Sequence, residues 1–154
     1  MKHRARFCFA VFFLILFCGS SFPLGGRAEI ADFKDFSVDL PQGWRVEREG
    51  TATAFFAPDN SASMQVAVEL LSRLHTQDMK ASELAEIYAA ELHGSPPVMV
   101  DNDPNYYSFE FKSPEGVPSE ASIVVAGKRF YLVTVTGRHK DLAGMVESLL
   151  LSIM

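Results

Sequence analysis

From Phe36 onward the apolar positions recur with a period of two, switch to a helical period, and then switch back. Phe36, Val38 and Leu40 alternate with Ser37 and Asp39, and Pro41-Gln42-Gly43 supplies a turn before Trp44 and Val46 resume the apolar side. This predicts a first hairpin of strands 36–40 and 44–49, with residues 31–34 as its lead-in. Gly50-Thr51 and Pro58-Asp59-Asn60-Ser61 are turn-rich and bracket a third strand, and Met64, Val66, Val68 and Leu70 mark a fourth with one buried face. After His75 the period changes: Leu84, Ile87, Tyr88 and Leu92 share one helical stripe, while Glu83, Glu86 and Glu91 lie off it. A helix over 82–93 follows, with Ser82 as its N-cap and Gly94 stopping it ahead of Pro96-Pro97.

Strand patterns return at 97–100 and at Tyr107, Phe109 and Phe111, then in a long hairpin whose arms, 121–125 and 129–135, flank Ala126-Gly127-Lys128. In Phe130-Tyr131-Leu132-Val133 both alternating sets are apolar, as expected of a central strand covered on both faces. Leu142, Met145, Val146, Leu149, Leu150 and Ile153 trace a second helix. The order is ββββ-α-ββββ-α, in runs and not in alternation. The expected class is therefore α+β, a mostly antiparallel central sheet with helices packed on it.

Residues 1–28 read differently. Lys2, Arg4 and Arg6 precede an unbroken apolar run from Phe7 to Cys18, 12 residues long, short of the roughly 18 or more that span a bilayer. Gly19, Ser20, Ser21 and Pro23 then break any helix, and Gly26-Arg27-Ala28 offers small residues where a signal peptidase reads. The segment is expected to be a signal peptide, leaving residues 29–154 as one domain that is periplasmic or secreted. Cys18 raises the rival of a lipid anchor, but Leu16-Phe17 is bulky where lipoprotein processing wants a small residue.

Processing changes the chemistry of what remains. Cys8 and Cys18 both lie in the segment removed, so the domain has no thiol for a disulfide, a nucleophile or a metal. Lys2, Arg4, Arg6 and Arg27 leave as well, and the remaining 10 basic residues face 19 acidic ones, a net charge of −9. Such a surface repels phosphate backbones and anionic lipids, which argues against nucleic acid as a partner.

The string FSVDLPQGW at 36–44, together with a last helix that follows a Tyr-containing strand and ends in Leu149-Leu150-Leu151-Ser152-Ile153, resembles the PsbP-like fold family. That family comprises the extrinsic oxygen-evolving-complex protein PsbP of photosystem II and bacterial exported relatives. The resemblance spans residues 33–154 in element order. It implies a docking or accessory module without catalysis, and it transfers no functional residue, because no motif here matches one.

Asp101, Asp103 and Asn105 match positions 1, 3 and 5 of a calcium loop, but Tyr106 stands where glycine is needed and Lys112 where the bidentate Glu is needed. The stretch Asp101-Asn102-Asp103-Pro104-Asn105 is equally the vocabulary of a turn. His75, His93 and His139 are too dispersed for a local metal motif. There is no Gly-x-Ser-x-Gly elbow and no glycine-rich phosphate loop. No cofactor is expected. Trp44 is read as core first, and Trp44, Tyr88 and Tyr106 are the candidates for partner or ligand contact. The leading expectation is an exported, non-enzymatic module that docks on an envelope protein. The alternatives are a carrier of a small apolar ligand, held near Trp44 and Tyr88, and, behind both, a hydrolase without a recognisable motif.

Overall fold

The computed structural model describes residues 29–74 and 79–154, except the side chains of residues 73 and 74. The segment expected to be a signal peptide, with Cys18, and His75 lie outside the described residues. Nine strands and two helices follow in order: β1 (Glu29–Phe33), β2 (Phe36–Leu40), β3 (Arg45–Glu49), β4 (Ala52–Phe56), β5 (Ala62–Leu70), α1 (Ala81–Glu91), β6 (Val98–Met99), β7 (Tyr106–Lys112), β8 (Pro118–Ala126), β9 (Arg129–Gly137) and α2 (Leu142–Ile153). Seven strands form one antiparallel sheet in the order β3-β4-β5-β9-β8-β7-β6, and β1 and β2 form a separate hairpin. The class is α+β, as the runs of strands indicated.

β9 is the central strand of the sheet, and Phe130, Tyr131, Leu132 and Val133 are all buried. It closes the long-range pairing with β5, in register from Ala62↔Gly137 to Leu70↔Arg129. Its alternate residues feed two cores. Phe130 and Leu132 join Ile123, Leu84 and Ala85 under α1, whereas Tyr131 and Val133 join Phe55, Val66, Met145 and Leu149 under α2 and the hairpin. The molecule therefore has three layers: α1, the sheet, and a layer made of α2 beside the β1–β2 hairpin.

The predicted first hairpin is corrected by this arrangement. β2 pairs with β1, and Arg45–Glu49 pairs with β4 in the large sheet. Residues 29–33 are thus a strand of their own, and Pro41-Gln42-Gly43 is a crossing between layers. Trp44, whose N–H donates to the Pro41 carbonyl at 3.3 Å, stands just before β3. The outer edge of β3, Arg45-Val46-Glu47-Arg48-Glu49, is mostly charged, a composition that discourages edge-to-edge pairing.

The hairpin is held from both sides. At its turn, Tyr131 donates its hydroxyl to the Asp35 carbonyl at 3.1 Å, and Arg129 pairs with the Asp35 carboxylate at 2.9 Å. Phe33 stacks on Phe36 with ring centroids 4.8 Å apart and meets Phe55 edge-on at 5.5 Å. Along the edge of β2 that faces α2, the Ser37 N–H donates to Ser152 Oγ at 3.0 Å and the Asp39 N–H donates to Ser148 Oγ at 2.9 Å. Both serines pass their own protons to helix carbonyls, of Leu149 and Met145. Two hydroxyls one helical turn apart thus do for the strand edge what another strand would do. Replacing both with alanine is expected to lower stability by about 1–2 kcal/mol in a urea titration, water and the better helix propensity of alanine offsetting part of the loss.

Helix α1 begins one residue earlier and ends two residues earlier than its periodicity indicated. Its N-cap is Lys80, not Ser82, and the Lys80 N–H donates to the Glu83 carboxylate at 3.0 Å. Its end is a Schellman turn: the Gly94 N–H donates to the Ala89 carbonyl at 2.8 Å and the His93 N–H to the Ala90 carbonyl at 3.3 Å. His93, at φ 53°, occupies the left-handed position that glycine usually fills. Gly94 serves a different purpose, because a Cβ there would meet the Phe109 ring at 2.7 Å and the Glu110 carbonyl at 2.8 Å.

Candidate functional site

The six residues singled out from the sequence do not converge. Trp44 is buried in the core beneath α2, at 7% exposure. Its indole lies edge-on to His139, with centroids 5.3 Å apart, and its Nε1–H is buried with no acceptor among the described residues. Tyr88 packs on the other core, with its ring 5.8 Å from that of Phe130. The sheet separates the two, so no single pocket contains both Trp44 and Tyr88. Tyr106 and Tyr107 face opposite sides, as alternation requires, and both are half-buried, so neither is fully exposed.

Asp101 to Asn105 forms the turn between β6 and β7. Asp101 and Asn102 are both left-handed, at φ 51° and 57°, and the Asp103 carboxylate accepts the Asn105 N–H at 2.8 Å. That oxygen is committed to holding the turn. Among the described residues no group of three or more His, Cys, Asp or Glu is placed to hold a metal ion.

Burial pushes the Tyr88 phenol up to about 12, with Glu91 and Glu69 adding to the effect. The proton is favoured in the folded state, so this contribution to stability is complete below the ordinary phenol range near 10 and is lost as the pH rises from about 10 to 12. Tyr88→Phe should flatten the fall in stability over that window, read from urea midpoints at each pH. An unchanged slope would move the cause elsewhere, Tyr131 being the next phenol raised by burial.

The surface feature that periodicity did not reveal is a groove of about 560 Å³ running beside α2. Its floor is Val133 and Val135 of β9, its helix wall is Val146, Leu150 and Leu151, and Tyr106 of β7 stands at its sheet side. It exists because α2 and the hairpin cover only part of that sheet face. Glu110 of β7 and Glu120 of β8 are exposed where the cover stops. Leu151 is 77% exposed although its neighbours Leu149 and Leu150 join the core. Carboxylates of Glu120 and Glu147 flank the apolar strip from the strand side and the helix side, and Arg138 and His139 stand at the end where α2 begins. The His139 Nδ1 accepts the Asp141 N–H at 3.3 Å and lies 3.5 Å from an Asp141 carboxylate oxygen. The ring thus belongs to the start of α2. The signal for it lay in the last helical stripe, where Leu149-Leu150-Leu151 is one apolar residue wider than a single buried face needs.

No family model matches the chain, and no curated protein matches it. Among solved structures, cyanobacterial PsbP (CyanoP) from Synechocystis sp. PCC 6803 superposes with a TM-score of 0.55 at 14% identity, over 84% of this chain and 96% of that one. A protein of Bacteroides thetaiotaomicron VPI-5482 gives a TM-score of 0.44 at 16% identity, over 77% of this chain and 44% of that one. Among the described residues no helix is long and apolar enough to cross a membrane. The likeness to CyanoP is one of architecture, and with the antiparallel sheet and the two helices described above it establishes that this chain has a PsbP-like fold.

Proposed function

We propose that the protein is an exported, non-catalytic accessory module of the cell envelope that docks on a protein partner through the face carrying the α2 groove. The observation that carries this reading is the groove itself, where Leu151 at 77% exposure adjoins the apolar strip of Val146, Leu150, Val133 and Val135. Exposed apolar residues gathered beside a packed core, rimmed by charges, are the usual mark of an interaction surface. Export is supported by the Lys2, Arg4 and Arg6 lead and the Phe7 to Cys18 apolar run. Catalysis finds no support in the groove, because the only acid–base pair at its end, His139 and Asp141, is occupied with the start of α2.

A photo-crosslinking residue at position 151, in the full chain expressed in its host, tests the reading. A discrete protein adduct from position 151, and none from position 87 on the exposed side of α1, is expected. Equal labelling at both positions, or none at 151, would overturn it. Native mass spectrometry of the same preparation covers the carrier alternative, for which a co-purified small molecule is the required result.

A further inference from the structure

We propose that the α2 groove takes a cationic amphipathic segment of the partner, with its apolar side chains on Val133, Val146 and Leu150 and its Lys or Arg side chains on Glu120 and Glu147. This rests on the docking reading above and names the chemistry of the other surface. Two observations carry it. The groove is mostly apolar and carries one acidic residue on each long side, Glu120 from β8 and Glu147 from α2. Glu120 also sits directly across from Glu110 in the β7–β8 register, so two like charges oppose each other on the same exposed sheet face.

Like charges in that position destabilise a sheet, and neither Glu110, Glu120 nor Glu147 makes an ion pair with a Lys, Arg or His among the described residues. A partner that brings cations relieves the repulsion on binding, which makes part of the interaction free energy a property of the groove before any contact is counted. Arg138 at the α2-start end opposes this, and so favours Glu147, further along α2, as the partner of a cationic side chain. The same carboxylates, with a net charge of −9 over residues 29–154, disfavour an anionic membrane as the occupant. The groove is lined by α2 from Leu142 to Leu151, a length of about 15 Å that matches about three turns of a helix.

The test uses the protein purified after expression of the full chain, isotope-labelled for NMR. The probe is an amphipathic peptide of about three helical turns built from Leu and Lys. Its controls are the Leu/Glu counterpart and a Leu/Lys peptide of the same composition with no amphipathic face. The Leu/Lys peptide should shift resonances of the groove residues and leave those of α1 in place, while both controls should bind at least about tenfold more weakly. Glu120→Gln with Glu147→Gln should reduce affinity about tenfold and flatten its salt dependence, and Leu151→Ser should reduce it with the salt dependence kept. Shifts spread over the acidic surface, equal binding of the controls, or a salt dependence untouched by the Glu variants would overturn the proposal. So would binding to vesicles rich in phosphatidylglycerol in preference to the peptide, which would assign the groove to a membrane. A partner still crosslinked from position 151 in the double Gln variant, with no peptide binding, would sink the cationic-segment inference and leave the docking reading standing. No position-151 adduct in the unaltered protein, with peptide binding intact, would overturn the docking reading and with it the partner segment, leaving only the groove's affinity for cationic amphipathic chains.

Discussion

Gly137→Ala is expected to be the most damaging single-atom addition in the domain, lowering stability by about 3–5 kcal/mol. Gly137 ends β9 with φ at 78°, pairs with Ala62, and lies against the Ser61 carbonyl, onto which an added Cβ would fall. The obstacle is backbone, and that backbone is itself tied: the Arg138 N–H donates to the Ser61 carbonyl at 3.3 Å. No flexible side chain can move aside, so the strand end and the β4–β5 turn must separate, at the point where the pairing of the non-consecutive strands β5 and β9 begins. Gly50→Ala is the matched control. It has φ at 58° and nothing within 4 Å of the added carbon, so only the left-handed strain, about 1 kcal/mol, should appear. Denaturant midpoints of the two variants separate clash from strain, and equal losses would refute the packing argument.

Trp44→Ala comes second, with an expected loss of about 3–5 kcal/mol. The indole fills the space where the chain crosses from the hairpin layer to the sheet, in contact with the core that includes Phe55, Leu142 and Met145. Trp44→Phe discriminates between volume and polarity. The buried Nε1–H finds no acceptor among the described residues, and leaving such a donor unmade costs about 1–3 kcal/mol. Phenylalanine removes that donor while keeping most of the apolar contact, so the two changes oppose each other and the loss should stay within about 1 kcal/mol. Near-native stability of Trp44→Ala with loss of the position-151 adduct would instead make Trp44 a partner contact.

Much of the fold was legible because it depends on local periodicity. The alternation in Phe36–Leu40 and Ala62–Leu70, the doubly apolar run of β9 and the stripe of α2 each identify an element and its buried side from residues a few positions apart. The resemblance of FSVDLPQGW to the PsbP-like opening pointed to the same architecture that the superposition on CyanoP shows. Boundaries and caps were less legible. Ser82 has the better capping side chain, yet the chain enters α1 at Lys80, because Ala81, Leu84 and Ala85 must all reach the same core. His93 likewise takes the left-handed position because Gly94 is needed one residue later for its close approach to Phe109.

The site was less legible than the fold. Trp44 stands at a strand start, Tyr88 on the stripe of the first helix and Tyr106 beside a second tyrosine, and the sheet places the first two on opposite sides. Asp103 and Asn105 were chosen as ligand types, and the turn uses the Asp103 carboxylate to hold itself. Glu120 and Glu147, 27 positions apart in the chain, were indistinguishable from any other exposed carboxylates until α2 and β8 brought them to one groove.

The amino-acid order alone settled the strands other than β1, both α-helices, which side of each is apolar, and the α+β class, since these follow from spacings of two to four residues along one chain segment. Tertiary structure alone decided that β2 leaves the large sheet to pair with β1, that β5 and β9 meet across the intervening elements, and that part of one sheet face stays open beside α2. Those choices turn on pairing partners far apart in sequence, where strand edges of similar composition compete and only the packing of both cores at once selects among them.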